Sequence, residues 1–118
     1  MITRYEEGAR MSLAVAFGPF FETAGIVAED TRLDVQGQMR QALATIDGLM
    51  AEAGVGKEQL TRVQIWIADY GHFDQVNAVY DAWLQGYPKP GRACVGADLG
   101  EGYQVEVQVF AIRTIEVA

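Results

Sequence analysis

The stretch from Val35 to Ala53 constrains this chain more than any other. Apolar residues fall at Val35, Met39, Ala42, Leu43, Ile46, Leu49, Met50 and Ala53. That is the i, i+3, i+4, i+7 stripe of a helix with one buried face. Asp34 precedes it as an N-cap and Gly54 follows it as a stop. Gln38, Arg40, Gln41, Asp47 and Glu52 fall on the polar side. Such a helix needs a broad apolar surface to lie on, and short strands elsewhere in the chain supply it.

Ser12–Phe17 and Phe20–Ala24 read as two strands around the breaker pair Gly18-Pro19, a hairpin or meander. Ala28–Asp34 is a polar connection, and residues 4–8 are too short a run to assign firmly. Gln59–Ala68 alternates Val63, Ile65 and Ile67 with Arg62, Gln64 and Trp66, the period of a strand. After the turn Asp69-Tyr70-Gly71, a second helix runs from about His72 to Leu84, with Phe73, Val76, Tyr80, Trp83 and Leu84 on one face. Gly91–Asp98 and Gln104–Arg113 are the last strands, with Leu99–Tyr103 read as a hairpin loop between them.

Two helices cannot cover both faces of so wide a sheet. The expectation is an α+β two-layer sandwich: a mixed sheet of about six strands with both helices on one face. Two β-α-β crossovers are expected, from Phe20 to Ile67 and from Thr61 to Val95.

The 118 residues fit a single domain spanning 1–118. The net charge of −7 argues against RNA or DNA as a nonspecific partner and against an anionic membrane surface. No apolar run approaches the roughly 20 residues of a membrane span, and the first residues read as no signal peptide. The one cysteine points to a reducing, cytoplasmic setting. One His and one Cys make no credible protein-only zinc site.

Alternation along the last strands divides the sheet into two faces. Val105, Val107, Val109 and Ala111 point to the helices, with Ala93, Val95 and Ala97 read as doing the same. The second face then collects Arg92, Cys94, Glu106, Gln108 and Phe110 with Arg62, Gln64 and Trp66. Aromatics beside amides fit an oligomer interface, and a solvated sheet face is the alternative.

Taken in order, Gln38–Gly54 (QMRQALATIDGLMAEAG), Val63–Asp69, Phe73–Tyr80, Pro90–Val95 and Val105-Glu106-Val107 resemble the Rid family, the reactive intermediate deaminases also called YjgF-like. The likeness spans residues 8 to about 113. It implies a chorismate-mutase-like fold, a homotrimer with ligand sites between subunits, and no cofactor. It implies hydrolysis of small enamines and imines, 2-aminoacrylate and related 2-imino acids, to 2-keto acids and ammonia.

Arg92 matches the family arginine that clamps the substrate carboxylate, a job suited to a planar fork of donors. Glu106 matches the glutamate that orients the attacking water; its alternative is an interface ion pair. Cys94 matches a residue whose backbone helps hold substrate, its thiol not being required. Asn77 matches a structural position, and His72 reads as a surface residue. Met11 stands where the family has a tyrosine, beside Arg10 as a second cation, and Ile26 stands where it has a glutamine; both mark pocket positions and put substrate range in question. A trimeric small-carboxylate binder with little chemistry is the alternative function. RNA cleavage, attributed to some relatives, sits poorly with the charge.

Overall fold

The computed structural model describes residues 1–114. The chain folds as β1 (Ile2–Glu7), β2 (Ser12–Phe17), β3 (Phe20–Thr23), β4 (Ile26–Val27), α1 (Val35–Ala53), β5 (Leu60–Ile67), α2 (Phe73–Trp83), β6 (Gly91–Gly96) and β7 (Val105–Ile112). One mixed seven-stranded sheet has the order β1-β2-β3-β7-β5-β6, with the two-residue β4 also paired to β7. The expected sandwich is present. The sheet gains β1, which the sequence left unassigned, and β4, too short to carry a period.

Both crossovers are present. β5 and β6 are parallel neighbours joined through α2. β3 and β5 both run antiparallel to β7, hence parallel to each other, joined through α1. The last two strands do not form a hairpin. β7 inserts between β3 and β5, and β5 separates it from β6. The strand on the Arg92 side of Glu106 is therefore β5, not β6. A Gly-rich loop signals a turn but not where the chain goes after it, and the central slot beside β5 buries the Val105–Val109 run on both edges.

α1 starts and stops as its sequence dictates. The Asp34 carboxylate accepts from the Gly37 N–H at 2.8 Å, and Gly54 ends the helix in the left-handed region at φ 72°. Met39, Ala42, Leu43, Ile46, Leu49 and Met50 join Val63, Ile65, Ile67, Val105, Val107 and Val109 in one core, where each large aliphatic side chain contributes roughly 1.5–3 kcal/mol.

Gln38 departs from its expected place on the solvent side. It is 0% exposed. Its Nε2 donates to the carbonyls of Thr31, Leu33 and Gly102, and its Oε1 accepts from the Gln104 N–H at 2.9 Å. A buried amide is tolerated when its hydrogen-bonding capacity is met. Here it pins the loop that delivers the chain into β7.

Candidate functional site

Among the described residues β6 is an edge strand, paired with β5 alone. In that parallel ladder Val63 lies beside Arg92, Ile65 beside Cys94 and Ile67 beside Gly96. Partners in register share a face, so Arg92 and Cys94 point to the helix side, and Ala93 and Val95 to the other. This reverses the phase expected from the sequence. Gly91–Gly96 carries too little apolar contrast to set a phase by itself, and the ladder with β5 sets it instead.

On the helix side Arg92 is gripped by α2. Its Nη1 donates to Asn77 Oδ1 at 2.6 Å. Its guanidinium carbon lies 4.8 Å from the Tyr80 ring centre and 5.7 Å from that of Phe73. Phe73, Asn77 and Tyr80 are spaced i, i+4, i+7, so one helix face presents all three. No acidic side chain pairs with Arg92 among the described residues, although the chain has 16 Asp and Glu. Burial pushes the Tyr80 phenol up, against the opposing pull of the Arg92 charge, so the ring beneath the guanidinium stays neutral.

Cys94 is half-buried against the core below Arg92. Burial pushes its thiol up, and the Arg92 charge pulls it back by less. A thiol held protonated is a poor nucleophile. Its carbonyl accepts from the Tyr70 hydroxyl at 3.4 Å, and the Tyr70 ring stacks on Phe73 at 5.2 Å. As β6 is an edge, part of its backbone faces away from any strand of this chain.

Glu106 lies elsewhere. It pairs with Trp66 on β5 and Val27 on β4 and alternates with buried Val105 and Val107, which sets it on the face away from the helices. Beneath it the β3–β4 edge is broken at Ala24-Gly25. A Cβ on Gly25 would overlap the Glu106 carboxylate, so the missing side chain makes the carboxylate's seat. Within one protomer Arg92 and Glu106 are therefore on opposite sides of the sheet.

The other predicted pocket residues part company. Met11 is 55% exposed and lines a shallow depression with Arg4, Arg10 and Ser12 at the β1–β2 turn. Ile26 is 3% exposed, pairs with Val107 and points into the core. Its side chain packs within the core cluster and is not presented at the surface. His72 is half-buried, not superficial: its Nε2 is 4.0 Å from Asp69 Oδ2, and its Nδ1 is buried without a partner.

A groove of about 380 Å³ opens between α1 and α2, lined by Arg40, Leu43, Asp47, Val79 and Trp83 among others. It contains none of the residues above. Its one acid is already engaged, with Trp83 Nε1 donating to Asp47 Oδ1 at 2.9 Å. The cation at Arg92, unpaired among the described residues, is the better-equipped centre. Among the described residues no group of His, Cys, Asp and Glu is placed to hold a metal ion. No helix among them is long and apolar enough to cross a membrane.

The family profile described as Endoribonuclease L-PSP matches residues 1–113. The chain belongs to that family. Its members include the YjgF and RutC proteins. A RutC family protein of Haemophilus influenzae is 31% identical over 112 residues, covering 93% of this chain and 97% of that protein. The 2-iminobutanoate/2-iminopropanoate deaminase of Salmonella typhimurium is 29% identical over 115 residues, covering 92% and 87%. A crystal structure of a YjgF family member from Neisseria meningitidis superposes with a TM-score of 0.91 at 30% identity, covering 98% of each chain. The family and the name of the Salmonella typhimurium relative support a Rid-type function.

Sequence reading notices Asn77, an Asn in mid-helix where it is a poor choice, and takes it as structural; its partner is the Arg92 side chain. Gly25 has no signal as a contributor, because only the path of β4 against β7 shows what its missing side chain makes room for.

Proposed function

We propose that the chain hydrolyses small 2-imino acids and their enamine tautomers to 2-keto acids and ammonia, at sites between copies of itself. The observation that carries this reading is the Arg92 cradle. A guanidinium held by a neutral amide and two aromatic rings, with no acid paired to it among the described residues, is set up to receive a carboxylate from outside. Fixing that carboxylate positions the imine carbon for attack.

The chemistry balances without oxidant or cofactor. An enamine takes a proton on carbon and becomes the protonated imine. Water adds to the imine carbon as Glu106 accepts the water's proton. Glu106 returns the proton to the carbinolamine nitrogen, the C–N bond breaks to release ammonia, and the hydroxyl proton is released as the carbonyl forms, replacing the one first taken up. Since Arg92 and Glu106 face opposite sides of one sheet, the proposal needs a second copy. The β6 edge of one protomer would dock against the second face of its neighbour, and a closed trimer repeats that contact three times. The second face suits this: Val15, Phe17, Phe20, Trp66, Val95 and Phe110 stand there beside Gln64 and Gln108, with Phe17, Phe20 and Val95 exposed.

One observation favours a carboxylate binder with little chemistry: Arg92 is complete within its own protomer without Glu106. The two readings separate on Glu106→Gln. A binder keeps its affinity for a 2-keto acid and had no turnover to lose; the deaminase keeps the affinity and loses turnover. The direct test generates an imino acid in situ with an amino-acid oxidase and follows its decay. Hydrolysis no faster than the uncatalysed rate sinks the proposal. RNA cleavage, which the family's description names, gains nothing from a chain of net charge −7.

A further inference from the structure

We propose that Asn77 is a positioning residue whose neutrality matters: it holds Arg92 still without spending the charge that a substrate carboxylate needs. The proposal rests on reading Arg92 as the carboxylate clamp.

An arginine has donors only, so the atom facing Nη1 must be an acceptor. At this point of the helix an aspartate would have the same reach and would make a stronger, charge-assisted bond. The chain uses acids freely, and α2 itself carries Asp74 and Asp81. Yet the residue meeting Arg92 is an amide, and neither of those acids pairs with the guanidinium. Asparagine is also a weak helix former, here in mid-helix. A residue that is second best both for the helix and for gripping an arginine points to a third requirement.

That requirement is availability. One of five guanidinium N–H groups is bonded to Asn77, and Tyr80 and Phe73 lie against the group. The Nε–Nη2 edge makes no bond to any described residue and offers two parallel donors, the fork that a carboxylate accepts. A carboxylate at position 77 would compete with the substrate for the same cation. The amide fixes the rotamer and leaves the charge free.

A purely structural tie between α2 and β6 predicts the opposite. It would be as good or better with an acid. The test compares Asn77→Asp, Asn77→Ala and Arg92→Ala with wild type, separating KM from kcat for imino-acid hydrolysis and measuring 2-oxobutanoate binding directly, with thermal unfolding as the check on folding. The expected result is Asn77→Asp melting at or above wild type while KM and the 2-oxobutanoate Kd rise about tenfold or more, with kcat within about threefold. Asn77→Ala, which loses the grip but adds no competitor, should raise both by a smaller factor.

Wild-type KM and Kd in Asn77→Asp would overturn the proposal while Arg92→Ala still fails, leaving the clamp intact. If Arg92→Ala binds and turns over as wild type does, the clamp itself is wrong and this proposal falls with it. Should Asn77→Asp fail to fold, Asn77→Ala decides: an unchanged Kd overturns the positioning role.

Discussion

Arg92 and Glu106 are held in contrasting ways on opposite sides of one sheet. Arg92 sits on an edge strand with little apolar pattern, and side chains of α2 fix it: an amide and two aromatic rings. Glu106 sits on the central strand β7, between the interrupted β3–β4 edge and β5, and a gap in backbone cover at Gly25 seats it. The cation is held by side chains of one helix face, of which Tyr80 belongs to the core and Phe73 packs against it. The acid is placed by the path of the main chain. A site built from one of each needs two protomers to bring the two kinds of support together.

Substitutions can break or sharpen that contrast. Arg92→Ala should have the largest effect. A lost pair of charge-assisted bonds to carboxylate lowers kcat/KM about a hundredfold or more, with thermal stability close to wild type because the side chain is exposed. Arg92→Lys keeps the charge but not the fork and should recover only part of the loss. Trp66→Glu tests the second face. A carboxylate there should yield a folded chain that sizes as a monomer, with turnover reduced about tenfold or more, since a buried unpaired charge at an interface is costly. A monomer that retains full turnover would refute the two-protomer site.

Gly25→Ala probes the backbone seat. The new methyl displaces the Glu106 carboxylate, a flexible end, so the fold survives with stability changed by about 1 kcal/mol or less. Turnover should fall several-fold while 2-keto acid affinity holds. An effect on affinity instead would place Gly25 with the clamp.

Cys94 should matter least. Cys94→Ser should leave turnover within about twofold. The folded chain holds the thiol proton more tightly than the unfolded chain. That contribution to stability is complete below the ordinary thiol range and is lost as pH rises through the raised value. Alkylation of Cys94 at neutral pH should accordingly be slower in the folded protein than in urea, a rate comparison by mass spectrometry.

Some of this could be read before any coordinates. α1 is legible from Asp34 to Gly54 because cap, stripe and stop agree. The crossovers follow from the alternation of helix and strand, and the resemblance directs attention to Arg92 and Glu106. What escaped is set by tertiary pairing. The face of Arg92 depends on its register with Val63, and six residues of mixed polarity cannot announce that. The place of β7 depends on which slot buries its valines. Gln38 reads as polar surface until its four partners are seen, two of them 64 and 66 residues away.

The most direct test of the central claim is complementation. Arg92→Ala and Glu106→Gln chains, each inactive alone, are co-expressed in equal amounts and the whole pool of assemblies is purified together. If each site takes its arginine from one protomer and its glutamate from the next, about a quarter of the interfaces in a random mixture carry both wild-type residues. Imino-acid hydrolysis should return to about that fraction of the wild-type rate. Mixed assemblies as inactive as either parent would contradict a site shared between protomers.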